Sequence, residues 1–307
     1  VIVAKCNISN NKATTGGGGL AFHNCNTIRL VSTAVSNNFA EKYGAGVYLK
    51  CIGVIDDSKK TKDYYSIFSL KTQIFTMLQC SSINNSALKN GATIYANNIL
   101  NLTISNSYIL ENECESRRGI IFIEECTIFK IKQCNFLKNL GCAVYFFKSQ
   151  TLKILHSKFT CNRGRSGGAV YTSRVISVRY YDCFFMNNIA ERFGGALHTY
   201  ETNFIIDIKS VFMNNSAYTN TAAFSTYGSV DVLIDSSIFH GNKYSAVESL
   251  AGKIFMMRNC TLQNNTLGTY GHGAYITETS TIVVKASAFI VNTADGGLWF
   301  SRVQNVS

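Results

Sequence analysis

The chain has no proline among its 307 residues, few charged residues (15%) and no long hydrophobic run. No stretch approaches the roughly 18 to 20 consecutive apolar residues of a membrane-spanning helix, so no transmembrane segment is expected. The chain begins at Val1 and shows no signal peptide, which predicts a processed chain or a piece of a longer one. It contains neither a Cys-x-x-Cys pair nor a histidine cluster, so we expect no zinc site and no cofactor.

Polar residues are abundant instead, which raises the alternative of a disordered chain. Disordered chains are poor in aromatic and β-branched residues, whereas this chain contains 20 Phe and 16 Tyr and is rich in Ile and Val. The composition therefore favours an all-β fold with a buried core. A net charge of +11 permits an acidic partner, such as a polyanionic glycan, a membrane surface or nucleic acid, without identifying one.

An internal repeat runs along almost the whole chain. Its signature is Cys or Ser, then Phe two residues later, then Asn after three more, as in residues 183–188 and 210–215. A Gly-Gly-Ala segment and an aromatic residue follow. The closing asparagine recurs at Asn11, Asn38, Asn85, Asn112, Asn139, Asn162, Asn188, Asn215, Asn242, Asn265 and Asn292.

The spacing of these asparagines varies mainly through one loop. An aromatic residue usually follows each asparagine by about ten residues, but Tyr145 follows Asn139 by six, and there the interval falls from 27 to 23 residues. Stacked coils of parallel strands tolerate length changes only at an outward loop. We therefore predict an all-β fold, a right-handed parallel β-helix (solenoid) of about eleven coils, roughly 50 Å long. It would form one domain over residues 1–307, with an insertion at about 52–71 in the single 47-residue interval.

Stacking would make equivalent residues of successive coils neighbours. The recurring asparagines are predicted to form a structural ladder, each side-chain amide bonded to the next. The Gly-Gly-Ala segments are predicted to be turns. The recurring aromatic residue, replaced by His198 in one coil, is predicted to form a stacked column.

The repeat resembles that of a known family. Phe185-x-x-Asn188 with Gly194-Gly-Ala-Leu197, and Phe159-x-x-Asn162 with Gly167-Gly-Ala-Val170, are similar to the repeats of chlamydial polymorphic membrane proteins. The resemblance covers nearly the whole chain apart from the insertion. It implies a pectin-lyase-like β-helix and a role in adhesion or surface structure, as the passenger portion of such a protein. Similar repeats also occur in surface proteins of protists.

Nine of the eleven cysteines fall into two groups. Five share one column, five residues before the ladder asparagine, where other coils have Ser or Thr: Cys6, Cys80, Cys134, Cys183 and Cys260. That interchange indicates a small, buried and unreactive position. Two further pairs, Cys25 with Cys51 and Cys114 with Cys142, fall on adjacent coils in matching columns. Because the coil spacing lies within the range of disulfide Cα separations, we predict both bridges.

Sequons for N-glycosylation occur at Asn7, Asn84, Asn101, Asn214, Asn259, Asn264 and Asn305. Three of them (Asn84, Asn214 and Asn264) directly precede a ladder asparagine, where the side chain is expected to point outward. Together with the candidate disulfides, the sequons favour the secretory route in a eukaryote and an extracellular or cell-surface location.

Carbohydrate-active enzymes share this fold, so catalysis is an alternative. Glycoside hydrolysis needs two facing carboxylates, and lyases use acidic residues for calcium with a basic residue as base. The best candidates are Asp182, Asp207, Asp231 and Asp235, but they do not share a column. The motif Gly271-His272-Gly273 resembles one of polygalacturonases, yet it occupies the Gly-Gly-Ala position of the repeat. We therefore expect no catalytic site, no metal site and a solvated acidic face.

Two polar features are candidates for binding. One is a basic stripe that could hold a polyanion; its members each lie nine residues before a ladder asparagine: Arg29, Lys130, Lys153 and Arg179. The alternative interpretation is that these charges only keep an exposed strand face soluble. Nucleic acid is not favoured, because no aromatic residues are interleaved with the stripe. The other candidate is the polar insertion at about 52–71, which could contact a partner; the alternative is a surface loop without a function.

The leading hypothesis is a non-catalytic structural or adhesive β-helix module of a larger extracellular or cell-surface protein. Because the repeat reaches both ends, we expect other subunits or further domains to cap the solenoid. The alternatives are a polysaccharide lyase or hydrolase of the same fold and a module that binds acidic glycans or other polyanions.

Overall fold

The computed structural model describes residues 1–50, 72–219, 223–266, 273–292 and 297–306. The predicted insertion at 52–71 lies outside the described residues, and so do Cys51 and His272.

The described residues form a parallel β-helix of ten complete coils, with a partial coil at each end. Each complete coil has three main strands, called here strands a, b and c in chain order, and each pairs in parallel with its counterparts in the coils above and below. Strands a and b of all coils form one 21-stranded sheet, and strands c form a second sheet of eleven. The predicted fold class is confirmed, and about ten turns are found where about eleven coils were predicted.

The strand boundaries repeat from coil to coil. Strands a are Leu20–His23, Val47–Lys50, Ile94–Asn97, Ile121–Glu124, Val144–Phe147, Phe224–Tyr227, Val247–Leu250, Ala274–Thr277 and Leu298–Ser301. Strands b are Ile2–Ala4, Thr27–Val31, Thr72–Leu78, Ile99–Ser105, Ile128–Lys132, Thr151–Leu155, Asp231–Asp235, Ile254–Arg258, Thr281–Lys285 and Asn305–Val306. In two coils, a and b are continuous as Val170–Tyr181 and Leu197–Ile208.

Strands c are Asn7–Ser9, Ala34–Ser36, Ser81–Ile83, Tyr108–Leu110, Asn135–Leu137, Lys158–Thr160, Phe184–Met186, Val211–Met213, Ile238–His240, Thr261–Gln263 and Ala288–Ile290. Two-residue strands follow the ladder asparagine in seven coils: Lys12–Ala13, Phe39–Ala40, Ser86–Ala87, Glu113–Cys114, Arg163–Gly164, Ile189–Ala190 and Ser216–Ala217.

Single residues in the left-handed conformation turn the chain between strands. One such column lies directly before the ladder asparagines, where Asn84 has φ 51°, Asn214 φ 52° and Asn264 φ 53°. Asparagine enters this region more readily than most residues, because its short polar side chain can bond locally. Backbone geometry therefore accounts for the three sequons that share this column. Asn84 and Asn214 are exposed and Asn264 is partly exposed.

The asparagine ladder is present along the whole solenoid. Asn112 shows the pattern: its side-chain Nδ2 donates to Asn139 Oδ1 (3.2 Å) and to the carbonyl oxygen of Ser82 (3.0 Å), and its backbone N–H also donates to Asn139 Oδ1 (3.1 Å). The inner ladder residues are fully buried, and this network satisfies their amides.

The core contains a second regular stack, formed by the Phe of Phe-x-x-Asn. Phe136, Phe159, Phe185, Phe212 and Phe239 are buried, with successive ring centroids 4.5–5.2 Å apart and planes within 17°. Strands a and b supply most of the remaining interior, with mainly aliphatic side chains and some aromatic ones such as Phe129, Phe146 and Phe255.

The cysteine column caps the turn between strands b and c. Cys134 Sγ donates to the carbonyl oxygen of Lys132 (3.3 Å), as Ser157 Oγ does to that of Leu155 (2.8 Å) in the next coil. Serine and cysteine therefore make the same contact, which explains their interchange. Burial raises the pKa of the Cys134 thiol to about 11, so this thiol stays protonated at neutral pH.

The predicted bridge between Cys114 and Cys142 is absent, because both are free thiols. The backbone pairs Glu113 with Leu140, so the partner of Cys114 is Gly141 and Cys142 is one position out of register. Cys114 Sγ instead donates to the carbonyl oxygen of Lys89 (2.9 Å), and Cys142 Sγ to that of Val144 (3.1 Å).

Candidate binding groove

An aromatic column runs along strand a. The register aligns Tyr48, Tyr95, Phe122, Tyr145 and Tyr171 on five successive coils. Their ring centroids lie 4.5–5.5 Å apart and their planes within 19° of each other. The predicted column is therefore present, with each ring covered on its faces by its neighbours.

This stacking leaves ring edges and phenol groups to face the solvent. Ring edges carry the positive end of the aromatic quadrupole. Burial, together with nearby Glu124, raises the pKa of Tyr95 to about 12, and burial raises that of Tyr145. Both phenols are therefore neutral at physiological pH, and the Tyr145 phenol forms a hydrogen bond with the Tyr171 side chain.

A shortened coil turns part of this face into a groove. Only five residues separate Asn139 from Tyr145, so the loop that projects from the neighbouring coils is nearly missing here. The flanking loops approach each other across it: the backbone N–H of Arg165 donates to the carbonyl oxygen of Arg117 (3.1 Å). The Arg117 guanidinium also reaches Glu191, at 2.5 Å.

The resulting groove is open and has a volume of about 470 Å³. Its base contains Tyr95, Phe122, Tyr145 and Tyr171, and the flanking loops contribute Arg117, Arg118 and Arg165. Glu124 is the one carboxylate among its lining residues, which all belong to the described part of the chain.

Two of the three arginines form no salt bridge with any residue that the structure describes. They are Arg118 and Arg165, and both are exposed. These two arginines, the aromatic edges and the neutral phenols all favour an anionic ligand. Arginine binds carboxylate and phosphate groups through paired N–H donors.

The predicted basic stripe is only partly assembled. Lys130, Lys153 and Arg179 are neighbours on consecutive strands b, but Thr76 and Thr103 separate Arg29 from Lys130. The three grouped residues lie on the same coils as Phe122, Tyr145 and Tyr171. They form no salt bridge within the described structure, so the positive charge of the groove continues onto the adjacent strand.

A second concavity lies beside the other shortened coil, in which Glu248 follows Asn242 by six residues. It has a volume of about 320 Å³ and is lined by Phe193, His198, Tyr200, Ser225, Tyr227, Glu248 and Leu250. Glu248 and Ser225 occupy the positions where other coils have an aromatic ring.

The four aspartates considered as candidate catalytic residues lie in different surroundings. Asp182 pairs with His156 at 2.9 Å, and Asp235 with Arg258 at 2.8 Å, both at the surface. Asp207 is fully buried inside the solenoid, which corrects the expectation of a solvated residue. Asp231 is partly exposed. Among the described residues, no three His, Cys, Asp or Glu side chains are grouped as a metal site would require.

The repeat pattern did not indicate Arg117, Arg118, Arg165 or Glu248 as site residues. The short interval after Asn139 was visible, but the contact between the loops on either side of it depends on how the coils stack. For Glu248, the available signal was an acidic residue at the aromatic position of the repeat.

In the parts of the chain that the structure describes, no helix has the length and hydrophobicity to cross a membrane.

The comparisons with known proteins concern the fold. The family model described as a right-handed β-helix region matches residues 33–185. No curated protein matches the sequence. A solved structure, tailspike protein 3 of bacteriophage CBA120, aligns with a TM-score of 0.45 and 10% identity over 97% of this chain; this chain spans 56% of that one. The family match and the parallel register together identify the chain as a right-handed parallel β-helix.

Proposed function

We propose that this β-helix is a non-catalytic binding module that holds an acidic glycan chain in the groove of the shortened Asn139 coil. The observation that carries the proposal is the pair of exposed arginines, Arg118 and Arg165, above a base of aromatic edges and phenols. A linear polyanion could lie along the groove, because the repeat presents equivalent groups at about 4.8 Å intervals.

A non-catalytic role is supported by the acids available. Among the described residues, the groove and the second concavity are each lined by one carboxylate, Glu124 and Glu248 respectively. Hydrolysis of a glycosidic bond requires two facing carboxyl groups. The resemblance of the repeat to polymorphic membrane proteins supports a setting in adhesion at a cell surface, where the β-helix is one part of a larger protein. The sequons are consistent with that setting.

The test is binding to immobilised polygalacturonate, with neutral dextran as the comparison. We expect the wild-type protein to bind polygalacturonate only, and binding to weaken as salt rises through the physiological range, because exposed charges are screened. The double variant Arg118→Gln/Arg165→Gln should bind at least about tenfold more weakly, since each charged hydrogen bond contributes roughly 1.5 kcal/mol.

A matched control is Lys253→Gln/Lys285→Gln, which removes the same charge from two exposed residues that form no salt bridge in the described structure and do not line the groove. Its affinity should remain within about twofold of the wild-type value, because distant exposed charges are largely screened. Equal weakening by both double variants would show that net charge alone drives binding, and would contradict the groove. Equal binding to dextran, or no dependence on salt, would contradict the acidic ligand.

A further inference from the structure

The aromatic column is interrupted at one place in the described structure. His198, Ser225, Glu248 and Tyr275 are aligned on four successive coils. The hydroxyl of Ser225 and the carboxylate of Glu248 replace two rings, and the second concavity occupies the space that these rings would fill. Its volume of about 320 Å³ lies at the lower end of the range for small-molecule sites.

The carboxylate in this gap has no counterion. Ser225 Oγ donates to Glu248 Oε2 at 2.9 Å, and no Lys or Arg in the described residues forms a salt bridge with Glu248. His198 does not supply one, because burial lowers its pKa to about 4 and leaves the ring neutral. Its Nδ1 is buried without a hydrogen-bond partner.

The rest of the lining is mainly aromatic. Phe193 stacks on His198 with ring centroids 5.3 Å apart, and Tyr200 stacks on Tyr227 at 5.5 Å with a 3° angle between planes. In the next coil, Leu250 follows Tyr227, so no further ring covers that end of the stack. An aromatic face beside a carboxylate attracts a cation through both its quadrupole and the full charge.

We propose that the gap at Ser225 and Glu248 binds an organic ammonium ion. A Ca²⁺ or Mg²⁺ ion is coordinated by at least about six oxygen atoms, whereas the described lining offers one carboxylate and few hydroxyl groups. An ammonium ion with apolar substituents has a weak hydration shell and matches aromatic walls. This site is separate from the arginine groove and has the opposite charge preference.

The test uses choline as the probe, in calorimetric titrations of the wild-type protein. We expect saturable binding, and about tenfold weaker binding of 3,3-dimethylbutanol, the neutral isostere of choline, since the cation–π and carboxylate attractions depend on charge. The variant Glu248→Gln keeps the shape of the side chain and should weaken choline binding at least about tenfold.

A second variant separates binding from folding. Ser225→Tyr places a tyrosine where five other coils have one, so it should fold and should abolish choline binding by filling the gap. Thermal melting verifies that both variants are folded. The proposal is overturned if wild-type protein shows no saturable choline binding, if the neutral isostere binds equally well, or if both folded variants bind choline as the wild type does.

Discussion

The two shortened coils, which follow Asn139 and Asn242, differ in one decisive residue. Both lose most of the same loop, and a concavity lies beside each on the strand a face. The first retains Tyr145 in the aromatic column, so the stack continues and arginines from the flanking loops define the groove. The second has Glu248 at the aligned position, so the stack breaks around a carboxylate. Loop length thus determines where a concavity forms, and the column residue determines its charge.

The two shortened coils share the same hydrogen bonds of the asparagine ladder. Asn139 Nδ2 donates to Asn162 Oδ1 at 2.8 Å, and Asn242 Nδ2 donates to Asn265 Oδ1 at 2.9 Å. Each also donates to a backbone carbonyl of the preceding coil. Shortening of the loop leaves the ladder unchanged.

The largest expected effect comes from breaking this shared support. Asn139→Ala and Asn242→Ala should each destabilise the protein by roughly 3–4 kcal/mol, because several buried backbone groups lose their partners. Urea unfolding measures the change. Asn292→Ala, in a partly exposed terminal position, should cost less than half as much. A large difference between the first two variants would mean that the short coils are not supported in the same way.

The coil that contributes His198 and Tyr200 to the second concavity also contains the only fully buried carboxylate of the described structure, Asp207. Burial raises its pKa to about 7, and its Oδ1 has no hydrogen-bond partner. The pKa of Asp207 is higher in the folded than in the unfolded protein. The contribution of this carboxyl group to the free energy of unfolding is therefore most favourable below about pH 4 and is lost as the pH rises towards 7. Asp207→Asn should therefore stabilise the protein by on the order of 2 kcal/mol at pH 8 and by almost nothing at pH 3.5. Equal gains at both pH values, in urea unfolding, would contradict an ionised Asp207.

The opposite charge preferences of the two concavities predict independent binding. Arg118→Gln/Arg165→Gln should weaken polygalacturonate binding about tenfold and leave choline binding unchanged, and Glu248→Gln should do the reverse. Parallel titrations of both ligands against both variants measure this. If either variant lost binding of both ligands, there would be a single site or a structural defect, and the two concavities could not be regarded as separate sites.

The smallest effect is expected at the turn that precedes each short coil. Cys134 occupies this position before Asn139, and Ser237 before Asn242; both donate to a carbonyl two residues earlier. Cys134→Ser should therefore change the free energy of unfolding by less than about 1 kcal/mol. A larger loss in urea unfolding would show that the thiol has a packing role that serine cannot replace.

The regular features were predictable from the sequence because stacking repeats one local environment many times. The Asn ladder, the aromatic column and the Cys/Ser interchange each follow from a residue that recurs at a fixed position. The Cys114–Cys142 bridge was wrongly predicted because counting from the asparagine ignores a one-residue shift in pairing. Arg29 was grouped with the basic stripe by the same counting, although two coils separate it from Lys130.

The coil, its repeat length and its core follow from the sequence pattern alone, because hydrogen bonding between equivalent positions of successive coils leaves little choice of register. Which loops meet across a missing one depends on how the coils stack in three dimensions. Arg117 and Arg165 approach each other over the Asn139 coil, and Asp207 faces inwards, because these outcomes depend on contacts between different coils. Such contacts join residues tens of positions apart, and no local pattern encodes them.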